Sequence, residues 1–243
     1  MKIRFAEKSD IPKLKELWIE AFGEEERGFC GVFYDLIFDK IKCFVLEDNG
    51  NIIAMLHSAD CILYSNKKYK CSYIYAVATK KEQRGKGCFF KLFEKYKAYL
   101  IENGYSCSIV IPHSSDLFGF YEKFSYKRFF KRAYITQNEL IDFEVKESYE
   151  KEAYNIYLDF LRKRSFYVEK SFEAFALSVI DKKIYKKGNS VIILRNDGCA
   201  EYYGESEINF NKTEDNALIL CINSDIDINR ANENEKILSF FMN

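Results

Sequence analysis

Arg84-Gly85-Lys86-Gly87 lies between an apolar run at residues 73–78 and a helical pattern from about residue 88 to 103. Two glycines alternating with two cations at such a junction have the makings of an anion cradle. Glycine permits a sharp turn and a close approach of backbone to ligand. The first turn of the following helix leaves N–H groups without intrahelical acceptors, and its dipole favours negative charge. The pattern therefore predicts a site for a phosphate-bearing ligand. Taken alone, the four residues are compatible with more than one motif. A Walker A loop ends Gly-Lys-Ser/Thr, whereas Cys88 follows Gly87. A dinucleotide fingerprint needs a third glycine where Phe90 stands and a first glycine nearer the strand. A plain turn before a helix would also use these residues.

The elements that must position this loop are legible on either side. Residues 3–5 read as a strand. Ser9-Asp10-Ile11-Pro12 is a helix start, with Ser9 or Asp10 as cap and Pro12 in the first turn. Leu14, Leu17, Trp18 and Phe22 form an apolar face that ends at Gly23. A second helix is predicted over 28–38. Residues 43–46 and 52–63 form a hairpin about Asp48-Asn49-Gly50. A turn at Ser65-Asn66 leads to the strand at 73–78. On the helix after the loop, Phe89, Leu92, Phe93, Tyr96 and Leu100 share one face, and Asn103-Gly104 closes it. A strand at 107–111, a short helix at 116–124 and a strand at 126–134 follow. This order predicts a mixed sheet with helices on both faces. Beyond residue 142, helices are expected at 149–161 and 172–180. A hairpin at 191–194 and 200–203 turns through Asn196-Asp197-Gly198, a strand at 217–222 follows, and a last helix is expected at 233–241. Gly188 and Gly198 read as turn residues, with no second glycine-rich loop.

The chain has 243 residues, 48% of them hydrophobic and 17% aromatic, enough to bury a sizeable core and against disorder. Its 37 basic residues balance 37 acidic ones, which argues against bulk nucleic-acid binding. The eight cysteines are scattered without a Cys-x-x-Cys pair and there are two histidines, so no metal site is expected. Most cysteines sit in apolar runs as small hydrophobes. With no signal-peptide pattern at Met1-Lys2-Ile3-Arg4, this predicts a reducing, cytoplasmic compartment. No apolar run has the length to span a bilayer, so no membrane partner is expected.

Residues 74–79, Ile-Tyr-Ala-Val-Ala-Thr, lead through Lys80–Gln83 into Arg84-Gly85-Lys86-Gly87-Cys88-Phe89. This stretch resembles motif A of the GNAT superfamily of N-acetyltransferases, a strand ending in a small residue and valine followed by Q/R-x-x-G-x-G/A. Arg84 takes the first place and Gly87 the first glycine, while Phe89 stands where the family has Gly or Ala. Phe120-Tyr121-Glu122-Lys123-Phe124-Ser125-Tyr126 resembles the family's late motif, F-Y-x-x-x-G-F/Y, with Ser125 in place of the glycine. The resemblance covers roughly residues 1–135. Val77-Ala78-Thr79 and the two-part layout further resemble the enhanced-intracellular-survival type, in which a complete domain is joined to a degenerate copy lacking the loop.

The resemblance implies an α/β (α+β) fold, a mostly antiparallel mixed sheet flanked by helices. It implies an acetyltransferase domain at 1–138 and a smaller degenerate GNAT-like domain at 139–243. It implies acetyl-CoA as cosubstrate, without metal, held by Val77, Ala78, Thr79, Arg84, Gly85, Lys86, Gly87, Cys88, Phe89 and Phe90. The loop amides would meet the pyrophosphate and the strand would pair with the pantetheine arm. Backbone N–H groups near Val77 and Ala78 would meet the developing oxyanion, a kind of contact worth about 3 kcal/mol. Tyr121 matches the tyrosine that faces the coenzyme sulfur and is expected as general acid. The general base is not visible: the strand before the loop carries Ser72, Tyr73 and Tyr75 but no carboxylate. His113 is either a proton relay through water or a surface histidine. Glu24-Glu25-Glu26 either recruits a cationic amine or is a solvated loop. Cys88 has no obvious His/Asp partner set and is not expected as a nucleophile. The expected reaction is acetyl transfer to a primary amine on a small molecule or a protein. The rival reading is a coenzyme-A-binding regulator or scaffold without turnover. Transfer of a longer acyl group stays open, as does homo-oligomer formation through the second half.

Overall fold

The computed structural model describes residues 1–146, 150–179, 182–195, 198–205, 210–222, 226–228 and 231. The helix expected at 233–241, and residues 149, 180, 196 and 197 of other expected elements, lie outside them. The chain divides into two compact units, residues 1–60 with 70–110 and residues 61–69 with 111–243.

The first unit contains β1 (Lys2–Phe5), α1 (Ile11–Phe22), α2 (Arg27–Ile37), β2 (Lys42–Asp48), most of β3 (Asn51–Ser65) and β4 (Lys67–Thr79), α3 (Cys88–Glu102) and β5 (Cys107–Val110). Its strands lie in the order β1-β2-β3-β4-β5. β1 and β3 flank β2 antiparallel, while β4 and β5 run parallel, joined by α3 as a crossover. The β2–β3 turn has Asn49 at φ 48° and Gly50 at φ 77°, the paired positive values that a two-residue primed turn requires. On α2, Cys30, Phe33, Tyr34 and Ile37 are buried at i, i+3, i+4, i+7 spacing, against the buried Leu14, Leu17 and Trp18 stripe of α1. Each large apolar side chain of these stripes contributes about 2 kcal/mol by leaving water. A buried polar chain ties the sheet to α3: Ser58 Oγ lies 2.7 Å from Ser72 Oγ, and the Tyr96 hydroxyl lies 2.7 Å from both Ser72 Oγ and Ser108 Oγ.

Asp10 departs from its expected part. It precedes α1 but makes no side-chain cap. Its carboxylate instead accepts from both terminal nitrogens of Arg4, at 2.6 and 3.0 Å, and from the Glu7 N–H at 2.8 Å. The carboxylate thus serves the guanidinium fork and the Glu7 amide at the head of the short Lys8–Asp10 turn rather than the start of α1.

The second unit holds α4 (Leu117–Glu122), β6 (Lys127–Tyr134), β7 (Glu144–Lys146), α5 (Glu150–Arg162), β8 (Phe166–Glu169), α6 (Phe172–Val179), β9 (Lys183–Lys187), β10 (Ser190–Leu194), β11 (Cys199–Tyr203) and β12 (Lys212–Cys221). Its strand order is β12-β6-β11-β10-β9-β7, with β8 pairing Ile62–Ser65 at the end of β3. These pairings are antiparallel. β7, β8 and β9 were not expected from sequence, and β8 interrupts the predicted helix–helix succession. Ala153, Tyr157, Leu161, Phe175, Val191, Ile193 and Tyr203 form part of one core. Beside it Lys170 Nζ and a Glu201 carboxylate oxygen lie 3.5 Å apart, both side chains fully buried, with the Tyr203 hydroxyl also donating to Glu201.

Candidate active site

The loop owes its shape to its glycines. After β4, a tight helical turn at Lys81–Gln83 leads to Arg84 in an extended conformation. Gly85 (φ 74°) and Gly87 (φ 73°) are both left-handed, where an L-residue is strained. A Cβ built on either meets no atom within 4 Å, so open space lies before the loop. Gly87 is the residue preceding α3, and no side chain caps the helix. Helical hydrogen bonding begins with the Lys91 N–H to the Gly87 carbonyl at 3.1 Å. The amides of residues 88–90 thus belong to the turn whose donors a helix cannot satisfy internally. Arg84 Nε donates to the Thr79 carbonyl at 3.1 Å and pins the loop to the end of β4, leaving its terminal nitrogens at an exposed position. Lys86 is exposed and 3.5 Å from the Gln83 amide oxygen. Phe89 stacks on Phe93 one turn along α3, with ring centroids 5.6 Å apart, while Phe90 is 56% exposed. Cys88 is buried with its thiol 3.5 Å from the Gln83 carbonyl, a packed position rather than a nucleophile's.

β4 itself changes character before the loop. Its register with β5 covers Cys71–Ile74 against Cys107–Val110, and β4 continues to Thr79 beyond the end of β5. At Ala76 the backbone swings to φ 43°, and Val77 and Ala78 follow directly. The Ala76 carbonyl lies 3.2 Å from His57 Nδ1, and the other ring nitrogen, Nε2, lies 3.1 Å from the Tyr34 hydroxyl. Trp18, Phe33 and Tyr34 pack on the imidazole at centroid distances of 5.9, 5.6 and 5.7 Å. Burial pushes the His57 pKa down to about 4, so the ring is neutral at ordinary pH.

The loop and the end of β4 are thus brought together in the first unit, which also carries the acidic run. Glu24–Glu26 forms a short helical turn, in which Glu24 is salt-bridged to Arg27 at 2.6 Å on an exposed surface. Part of its negative charge is therefore answered locally. Tyr121 and His113 belong to the second unit. Tyr121 is buried on α4, edge-on to Tyr126 at 5.8 Å, and burial pushes its phenol well above the ordinary value, keeping it protonated. His113 is exposed. Ser125, at φ 68°, takes up the left-handed position for which glycine is suited. Among the described residues no three His, Cys, Asp or Glu side chains are grouped as metal ligands, and no helix is long and apolar enough to cross a membrane.

A family model described as an acetyltransferase (GNAT) domain matches residues 2–129, more than half of the chain. The chain belongs to the GNAT acetyltransferase family. Solved structures agree on the fold. A probable N-acyltransferase from Enterococcus faecalis V583 superposes with a TM-score of 0.68 at 14% identity, over 91% of this chain and 72% of that one. A GCN5-related N-acetyltransferase from Kribbella flavida gives 0.67 at 12%, over 92% and 72%. Eis1 from Mycobacterium abscessus gives 0.66 at 8%, over 90% and 73%. No curated protein matches by sequence. Within this GNAT domain the residue that sequence reasoning passed over is His57. It sits mid-strand in Ile-Ile-Ala-Met-Leu-His-Ser-Ala, and its partners are 19 and 23 positions away. The available signal was its rarity, as one of two histidines in the chain.

Proposed function

We propose that this GNAT protein transfers the acetyl group of acetyl-CoA directly to a primary amine. The observation that carries the reading is the conformation of residues 84–90, two left-handed glycines leading into an uncapped helix N-terminus beside Arg84 and Lys86. A pyrophosphate needs several convergent N–H donors and positive charge, and this loop supplies both. In the proposed reaction the neutral amine nitrogen attacks the thioester carbonyl carbon. The carbonyl oxygen becomes an oxyanion met by backbone N–H groups at Val77 and Ala78. The carbon–sulfur bond then breaks, and the leaving thiolate takes a proton from Tyr121, whose phenol is held protonated. The cationic acceptor gives up one proton to water before attack, directly or through His113, and the nitrogen gives up a second after it, which returns through water to the Tyr121 phenolate. Glu24, Glu25 and Glu26 draw the cationic acceptor by charge. Residues 139–243 are a degenerate copy without the loop, and the protein works in the cytoplasm.

A second reading, coenzyme A binding without turnover, is favoured by two features: β4 carries no carboxylate to serve as base, and the bulky Phe89 stands where the family has Gly or Ala. Calorimetry of acetyl-CoA binding to wild type and to Gly87→Trp tests the cradle, followed by a screen of amines for turnover. Binding lost in the variant supports the site. No binding by wild type would reduce the loop to a turn and remove the enzymatic reading. Binding without turnover on any amine would favour the second reading.

A further inference from the structure

We propose that His57 is a positioning residue for acetyl transfer, a neutral imidazole that holds the Ala76–Val77 peptide in the orientation that aims the Val77 N–H at the acyl oxygen. This rests on the acetyltransferase reading and assigns it a residue outside both motifs quoted above.

The pairing with Ala76 and Tyr34 favours one tautomer, and the Tyr75 backbone is a further hydrogen-bond partner of the ring. A carbonyl oxygen can only accept, so Nδ1, 3.2 Å from the Ala76 oxygen, carries the proton. Nε2 is then an acceptor, and the Tyr34 hydroxyl, 3.1 Å away, donates to it. The Met55 thioether, 3.9 Å from the same hydroxyl, is the weaker acceptor. Both members of the chain are held in these states by burial, which pushes the imidazole pKa down and the Tyr34 phenol up. The ring cannot swing aside, because Trp18, Phe33 and Tyr34 pack around it and it is fully buried.

The consequence runs through one peptide plane. Ala76 is a non-glycine residue in the left-handed region, a conformation that persists only where its surroundings hold it. Among the described residues no peptide is cis, and in a trans peptide the C=O and N–H point in opposite directions. Anchoring the Ala76 carbonyl on His57 therefore points the Val77 N–H away from the imidazole. Past Ile74, β4 has left its register with β5, so this amide is not committed to that neighbour.

Three variants test the inference: His57→Leu removes the donor, His57→Asn keeps an N–H close to the place of Nδ1, and Tyr34→Phe removes only the hydroxyl. The kcat of His57→Leu is expected to fall about 100-fold, as for loss of an oxyanion donor, while acetyl-CoA affinity, set by the 84–90 loop, stays within about threefold. His57→Asn is expected to recover about tenfold of that loss, and Tyr34→Phe to sit between wild type and His57→Leu. Nitrogen-15 spectra of wild-type His57 should show the neutral Nδ1–H tautomer, and a crystal structure of His57→Leu should show Ala76 out of the left-handed region. Equal kcat in wild type and His57→Leu, an Nε2–H tautomer, or an unchanged Ala76–Val77 peptide in the variant would each overturn the proposal. Should His57→Leu not fold, Tyr34→Phe and the wild-type spectra decide. Failure of wild type to turn over any amine would defeat the enzymatic reading and the catalytic part of this proposal, while the tautomer and the peptide orientation would still judge the brace itself.

Discussion

Replacing Gly87 by alanine separates a binding role of the loop from a folding role, because the structure contains a matched control. Gly87 sits at φ 73° and Gly50, in the β2–β3 turn, at φ 77°. A Cβ on either meets no atom within 4 Å, so neither substitution adds a clash. The cost in both is conformational: a left-handed L-residue is penalised by about 1–2 kcal/mol, partly offset by the lower entropy of the unfolded alanine chain, for a net cost of about 1 kcal/mol. For a chain of this size that lowers Tm by about 2–4 °C. The two variants should therefore lose the same stability. Only at Gly87 does the new methyl enter the space where a pyrophosphate would approach the backbone, and affinity for acetyl-CoA should fall at least about tenfold, or 1.4 kcal/mol. Differential scanning calorimetry and titration calorimetry on the three proteins provide both readouts. Wild-type affinity in Gly87→Ala, or an equal affinity loss in Gly50→Ala, would refute the reasoning.

Three further outcomes are expected. Tyr121→Phe should lower turnover far more than acetyl-CoA affinity, since only the hydroxyl is removed from a buried ring; unchanged turnover removes the residue from the mechanism. Ser125→Gly should raise stability by about 0.5–1 kcal/mol in chemical denaturation by relieving the left-handed serine after α4. Asp10→Asn should cost about 2 kcal/mol at neutral pH by weakening the Arg4 fork. Arg4 holds the Asp10 carboxyl below its ordinary value in the folded state, so this stabilisation is complete above the unfolded value, near 4, and is lost as pH falls through the folded one. The stability gap between wild type and Asp10→Asn should accordingly narrow in acid, and a constant gap would remove the linkage.

Much of the first unit was legible because its signals are local. Apolar spacing marked α1 and α3, and Asn49-Gly50 marked the β2–β3 turn. β4 was read too short, because Lys67-Lys68-Tyr69-Lys70 looks like a polar loop. It is a strand because β3 runs beside it, a tertiary term that overrides propensity. β9, Lys-Ile-Tyr-Lys-Lys, was missed for the same reason: its lysines are tolerated on a strand whose register is set by β10 on one side and β7 on the other. Ser9 or Asp10 was read as the cap of α1 because only neighbours in sequence were visible, whereas no side chain caps α1 and the Asp10 carboxylate is held by Arg4 and the Glu7 N–H.

The amino-acid sequence by itself determined the 84–90 loop. Glycine is the residue that adopts left-handed backbone at low cost, and a helix N-terminus presents its amides whatever surrounds it, so residue types and spacing sufficed to predict the turn and the uncapped helix start there. Tertiary structure alone decided the conformation at the end of β4. Nothing local to Ala76 favours φ 43°; its carbonyl meets His57 on β3, and the same ring meets Tyr34 on α2, at a buried point that only the folded chain creates. Hydrogen bonds between residues 19 and 23 positions apart form only once strand register and helix packing have closed the intervening chain, and no reading of residue types can supply that register.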